Sequence, residues 1–540
     1  MTAGRHLSVG KWWVLVGLGI CGAFGLRLWG DRTWLLFLNT AKLCAATAAI
    51  SVPLGALLAW MLLRSDLPLR RGLGLTLGWL LFVPLYLQAA AWQAGFGLQG
   101  WFTLALGNVA WLDGWRGAVW IHGMAGVPWV ALLVGAGLRQ VEPELEDNAL
   151  LDAWAGQVVY RVTARRMAGS IAASLLWIVI LTSSEMVVTD LFRIRTFAEV
   201  LYWDMAVGGE PGGAALRAAP SVLFVGWLAL AGVLLFARLA PPTKSGGVES
   251  RSRMKLGRWR WPWWGLVTVI VVLLVGVPLG SLIYKAGLSV EQTLDGRLRV
   301  WSVEKCWRLL AASPSRAWRP LGWSMVISVV ASTAALATAV PAAWLARGKG
   351  PWQAVVLTLV GATLALPGPA IGIATVWLFN RRDPAPVAWI GKHLWGANFQ
   401  LFAYLYDRTV VAPCAALGLR VLPFVALILW YAFQTLPTEP LDSAATEGAG
   451  RFGRMWRIAL PQRKEALLAA WLVAVALCWG DLSTTLLVLP PGVTTMASHI
   501  FNLLHYGVED VVAADCLATL CWITLLAVGV RISLHRLFRR

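Results

Sequence analysis

Twelve apolar runs divide this chain, at about 12–28, 34–63, 72–95, 117–138, 168–190, 218–237, 263–285, 321–346, 352–379, 412–436, 465–488 and 511–534. A helix rises about 1.5 Å per residue and a bilayer core is about 30 Å thick, so runs of this length match single membrane crossings. An outer-membrane barrel would show short alternating segments instead. Composition agrees: 58% of the 540 residues are hydrophobic and only 14% are charged, a balance too apolar for a soluble globule of this size.

Charge then orients the runs. The net charge of +19 sits mainly in short loops, with Arg64, Arg70 and Arg71 marking one side and Gly30-Asp31 and the Trp-rich segment between Phe96 and Trp115 marking the other. Bases in short loops face the cytoplasm, so the basic balance sets topology and does not imply nucleic acid as a partner. Both termini are expected inside. The run from Trp12 to Leu28 has the position of a signal-peptide core, but no small-x-small cleavage site follows it, and it reads as a retained first span. Residues 241–262, rich in turn formers and bases and ending at Trp261, form a cytoplasmic linker anchored at the anionic inner leaflet. The seven cysteines fall mostly inside apolar runs, where Cys acts as a small hydrophobe. Cys306 and Cys414 are expected in outer loops, where a disulfide between them is open.

The linker separates two copies of one plan. Pro128-Trp-Val-Ala-Leu-Leu aligns with Pro423-Phe-Val-Ala-Leu-Ile, and Asp147-Asn-Ala with Asp442-Ser-Ala, both at an offset of 295; Arg165, Glu185 and Thr189 align with Pro461, Asp481 and Thr485 at 296, and Pro84 with Pro367 at 283. Six spans per copy restore the starting orientation, so the repeats are parallel. The expected fold class is an all-α integral membrane protein of about 12 transmembrane helices in two parallel six-helix repeats, residues 1–240 and 263–540.

Each copy carries a polar interruption between its fourth and fifth spans, at 142–166 and 437–464. The second begins with acids, continues with small residues and bases, and stops at Leu460-Pro461. Acids at the start of a short helix and Arg451, Arg454 and Arg457 toward its end complement the helix dipole. Ala444, Ala445, Gly448, Ala449 and Gly450 give a low-relief surface for close docking.

This loop resembles the cytoplasmic signature of ATP-binding cassette importer permeases. Asp442-Ser443-Ala444, then Gly448, Ile458 and Leu460-Pro461, reproduce its spacing, with Asp for Glu and Ser for the first Ala. The first loop matches only in part: Asp147, Asn148, Ala149 and Ala153 stand for the opening, while Val162-Thr163-Ala164-Arg165 replaces the closing Ile-x-Leu-Pro. The fused double-length plan resembles ferric iron permeases and the related thiamine permeases over nearly the whole chain. The resemblance implies two separate ATPase subunits docked on the loops, an extracytoplasmic solute-binding protein, a bacterial inner-membrane location and alternating access. Ferric iron is the cargo it favours, with thiamine, a polyamine or a sulfate-like oxyanion as alternatives.

The chain itself is not expected to be an enzyme. It has no G-x-x-x-x-G-K-[ST] phosphate cradle, so ATP is used by partner subunits and no cofactor is bound here. No H-E-x-x-H occurs, and His499 and His505 are spaced off a zinc-binding helical face. Intramembrane acids are functional candidates by default. Glu185 and Asp481, each followed four residues on by Thr189 or Thr485, either line a cation path, or hold helices by hydrogen bonds, or lie at the outer interface. Two rival classes stand beside the importer: an ion-coupled secondary transporter using these acids, and a non-transporting membrane scaffold. The first gives no reason for a polar loop with permease spacing at matching places in both copies, and the only support for the second is the degeneration of the first loop.

Overall fold

The apolar runs fold as helices in the computed structural model, which describes residues 30–106, 109–141, 143–207, 223, 225–227, 255–293, 296–348, 350–364, 366–379, 399–506 and 509–538. The expected first span, most of the sixth, most of the linker and both termini lie outside the described residues. Among the described residues, six helices are long and apolar enough to cross a membrane, or up to eight if each of two bent pairs counts as one span.

In the first half, α1 (Asp31–Arg64) packs along α5 (Gly114–Gln140), with α2 (Arg70–Leu80), α3 (Leu85–Phe96) and the short α4 (Trp101–Ala105) between them in sequence. The close approach of α1 to α5 needs glycine: a Cβ on Gly55 would lie 2.6 Å from Val130, and one on Gly126 would lie 2.3 Å from Ser51 Oγ. The first polar loop follows as α6 (Pro143–Asp152) and α7 (Ala155–Val158). Then come α8 (Ala164–Ser183) and two short helices, α9 (Val187–Leu191) and α10 (Phe197–Ala206).

The second half opens with α11 (Arg260–Val271) and α12 (Val277–Gly287), then a hairpin of β1 (Leu288–Thr293) and β2 (Gly296–Trp301), antiparallel with Leu288 opposite Trp301. It continues with α13 (Val303–Leu345), α14 (Pro351–Leu364), α15 (Gly368–Phe379), α16 (Phe399–Arg408) and α17 (Val411–Gln434). The second polar loop forms α18 (Glu439–Thr446), α19 (Arg451–Arg454) and α20 (Leu460–Gln462), and α21 (Lys464–Gly480), α22 (Met496–Tyr506) and α23 (Glu509–Phe538) complete the chain.

Three expectations are corrected. The runs at 72–95 and 352–379 are not straight spans: α2 meets α3 at 104° and α14 meets α15 at 97°. The breaks fall at Pro84 and Pro367, where the ring removes an N–H and disfavours helix at the preceding residue. Pro128 and Pro423 have the same chemistry but sit inside continuous α5 and α17. Second, the span expected at 321–346 begins well before it: after the hairpin, α13 starts at Val303, and its 43 residues make it about 65 Å long, about twice a bilayer core. Third, the run at 465–488 stops being helical at Gly480, and residues 481–488 form turns. Cys306 and Cys414 are both free and buried, on α13 and α17, so no disulfide joins them.

The halves interlock. Helix α12 packs against α3 of the first half and against α23. Trp101 donates to Ser281 Oγ at 3.4 Å, and Lys285 donates to the Gln99 carbonyl at 2.6 Å while pairing with Glu509. Lys305 pairs with Asp510 at 2.8 Å and donates to the Leu288 carbonyl at 2.6 Å, fixing the base of the hairpin. One hydrophobic core therefore joins the first half to α11, α12 and α23, and a second gathers α13, α14, α17 and α21.

Candidate functional site

The second polar loop is built to show one face. Helix α18 carries Glu439 and Asp442 in its first turn, where acids suit the helix dipole. It ends at Gly448, whose φ of +85° is open to glycine at little cost. The Ala449 amide closes the turn on the Ala444 carbonyl at 2.8 Å. Of the motif positions, Asp442, Ser443, Gly448 and Pro461 are exposed, and Ala444, Ile458 and Leu460 are half-buried. Leu441, Met455 and Ala459 are buried and seat the loop.

Polar contacts fasten its back. Trp344 Nε1 donates to the Arg451 carbonyl and Arg451 to the Leu345 carbonyl, each at 3.1 Å. Arg463 donates to the Thr435 carbonyl, closing the end of the loop on its start, and Arg347 donates to the Phe433 carbonyl at 2.9 Å, tying the end of α13 to the end of α17 from which the loop leaves. Burial holds the Arg347 guanidinium below its ordinary value, against the opposing pull of Asp442. Pro461 does not itself end the helical path, which runs through Gln462 and breaks at Arg463.

The first loop is held similarly and ends differently. Arg64 pairs with Glu146 at 2.9 Å and donates to the Leu138 carbonyl at 3.0 Å, while Thr163 donates to Glu146 at 2.6 Å. Asp147 and Asn148 are exposed and Ala149 and Ala153 half-buried. Gly156–Ser183 is one continuous helix, so the second part of this loop runs straight into the membrane. Both loops contain a π-helical turn, at Val159–Thr163 and Met455–Ala459, 296 residues apart. Such turns accommodate one extra residue per turn. Aromatics project from each: Tyr160 is 79% and Trp456 65% exposed, again 296 apart, and the first loop adds Leu151 and Trp154.

Arg64 and Arg347 anchor equivalent places and were missed by sequence reading. The signal existed, because they are 283 residues apart, the offset that pairs Pro84 with Pro367.

The matched acids Glu185 and Asp481 are engaged. Glu185 accepts hydrogen bonds from the Val187 and Val188 amides at 2.6 and 3.0 Å, and His122 Nε2 lies 3.3 Å from its carboxylate. Asp481 accepts from the Thr484 amide at 2.7 Å and lies 3.5 Å from Arg420 Nε. Each acid thus caps the turn after the fifth span and faces a base on the helix before the loop. Thr189 and Thr485 are buried and bond to their own turns, at the Met186 and Asp481 carbonyls. Removing one partner of the buried Arg420–Asp481 pair costs about 3–5 kcal/mol, because the other charge is left uncompensated. Sequence reading missed both bases for a definable reason. His122 aligns with Leu417 and Arg420 with Ala125 at the offset of 295, so they lie one helical turn apart in the repeat and no alignment pairs them.

Arg420 also crosses between halves. It is 8% exposed, donates to Ser184 Oγ at 2.6 Å and to the Leu366 carbonyl at 2.9 Å. Beside it Trp177 of the first half meets Phe424 edge-on at 5.0 Å. Further out, His505 Nε2 lies 3.2 Å from Asp190, which accepts from Trp203 at 3.0 Å, and His499 pairs with Asp515 at 3.2 Å. Among the described residues no three His, Cys, Asp or Glu side chains gather as a metal site.

Residues 335–539 match the family model described as binding-protein-dependent transport system inner membrane component. The match covers less than half of the chain and contains the second polar loop, Arg420 and Asp481. No curated protein matches the chain. The likeness supports a multi-pass membrane permease of a binding-protein-dependent transporter, a class that works with ATPase and binding-protein subunits.

Proposed function

We propose that this chain is the membrane-spanning subunit of an ATP-driven importer, with both permease halves fused. The observation that carries the proposal is the 442–461 segment: it has the spacing of the importer signature, presents Asp442, Ser443 and Gly448 outward, and lies within the region matching the permease family. Two separate ATPase subunits dock on the loops around Asp147 and Asp442. Their ATP-driven closure moves the loops together and opens the path to a loaded solute-binding protein on the other side. The chain contributes no phosphate cradle and binds no cofactor.

The cargo we propose is ferric iron, on overall resemblance. Path residues are sought first beside Glu185, Thr189, Asp481 and Thr485, whose turns lie at the outer ends of matching spans. The experiment that tests the subunit assignment is mild-detergent purification of the tagged chain. An ATPase subunit should co-purify in stoichiometric amount, and its absence overturns the assignment. Uptake of labelled ferric iron against labelled thiamine in vesicles carrying the purified assembly then decides the cargo.

A further inference from the structure

We propose that Arg420 is a positioning residue of the transport cycle, a pin that ties the halves together in the outer part of the membrane and releases the first half when they part. The proposal rests on the importer reading for the existence of a cycle.

Its geometry is three-way. Arg420 stands on α17 and reaches Ser184 of the first half, the Leu366 carbonyl beside the α14–α15 break, and the Asp481 carboxylate after α21. Only the first of these contacts crosses between halves. The Leu366 carbonyl stands where the helix is interrupted, and such backbone groups need a new partner at membrane depth. The guanidinium supplies one, and so links the broken span to the first half through a single side chain.

The three contacts are unequal. The link to Asp481 joins opposite charges in a buried setting, whereas Ser184 offers a neutral hydroxyl. That hydroxyl is otherwise complete, since it donates to the Ile180 carbonyl at 2.7 Å. Glu185, the neighbouring acid, is held by the Val187 and Val188 amides beside His122 and does not receive Arg420. The Ser184 contact is a charge-assisted hydrogen bond from an ionised donor to a neutral acceptor, while the Asp481 contact is an ion pair at 3.5 Å. Arg420, Leu366 and Asp481 all belong to the second half, so separation of the halves breaks Arg420–Ser184 and leaves Arg420 with the Leu366 carbonyl and Asp481. A buried ion pair is a poor general stabiliser compared with apolar packing, and its best-attested use is to fix one arrangement against alternatives. Here that arrangement is the juxtaposition of residues 181–188 with the broken span.

The test reads the halves directly. Spin labels at Val207→Cys and Tyr506→Cys, on exposed outer positions of opposite halves, report their separation in the full-length chain in lipid nanodiscs, in a background lacking the other cysteines. Ser184→Ala should add a longer-distance population, Ser184→Thr should keep the parent distribution, and Arg420→Lys should fall between. An unchanged distribution in Ser184→Ala, or an equal shift in Ser184→Thr, overturns the pin. With ATPase and binding protein added, Ser184→Ala should raise ATP hydrolysis without solute several-fold and lower uptake per ATP. A shifted distance with no associating ATPase would leave the pin standing and sink the importer reading. Normal coupling with unshifted distances would do the reverse.

Discussion

At the residue scale, charge placement decides more than charge identity. Glu185 and Asp481 were visible in the sequence as matched acids, but their partners were not, because His122 and Arg420 are one turn out of register. The Arg420–Asp481 pair predicts a specific pattern in thermal unfolding. Arg420→Met and Asp481→Leu should each destabilise by about 3–5 kcal/mol, and the double variant by clearly less than their sum. Additive losses would mean the pair is not coupled.

The outer cluster around Asp190 predicts a pH dependence. The Asp190 carboxylate, through its contact with the imidazole, raises His505 above its ordinary 6.5. A base raised on folding contributes stability that is complete below 6.5 and is lost as pH rises through the folded value. Burial, with Asp190 nearby, pushes the Glu199 carboxyl from 4.5 up to about 7. An acid raised on folding holds a proton that the unfolded chain has lost, so stability falls as pH rises from 4.5 toward 7. Both effects have one sign. Unfolding temperature should drop with rising pH across this window; Glu199→Gln should remove the lower part of the drop and His505→Ala the upper part.

At the element scale, identical residues behave differently according to what packs on them. Pro84 and Pro367 break their helices while Pro128 and Pro423 do not, so the repeat announced two matched pairs of prolines but not which pair would bend its span. The loops show the same divergence. The second breaks at Arg463, which Thr435 holds, whereas the first continues without interruption to Ser183. Gly448 lies at positive φ, so a bulky residue there strains the turn as well as blocking the surface. Exposed Ala445 in α18 separates these effects. Ala445→Trp should leave the chain inserted and folded while abolishing ATPase co-purification; undiminished association would remove α18 from the docking surface.

At the scale of the molecule, the interlock of α12 with α3 and α23 makes the two sequence repeats one structural unit, sharing cores across their boundary. The prediction here is topological. Single cysteines at Ser443, on the second loop, and at Glu304, 80% exposed at its side chain beside the hairpin, should react with impermeant reagent from opposite sides of a sealed vesicle. Labelling from one side would overturn the reading of the charged loops as cytoplasmic.

What the sequence by itself determined is what depends on local composition and spacing: helices long enough to cross a bilayer, two polar loops at matching places, and acids at the ends of matching spans. Long apolar runs must bury their backbone groups in helices, and this needs no knowledge of neighbours. Whether a proline bends a span by about a hundred degrees, which base meets Asp481, and that Arg420 reaches Ser184 across the halves were decided only in three dimensions. Those outcomes depend on contacts between residues far apart in the chain, where packing outweighs local preference. The loop at 442–461 belongs to both accounts: its spacing was written in the sequence, and its outward face exists because Trp344 and Arg463 hold its back.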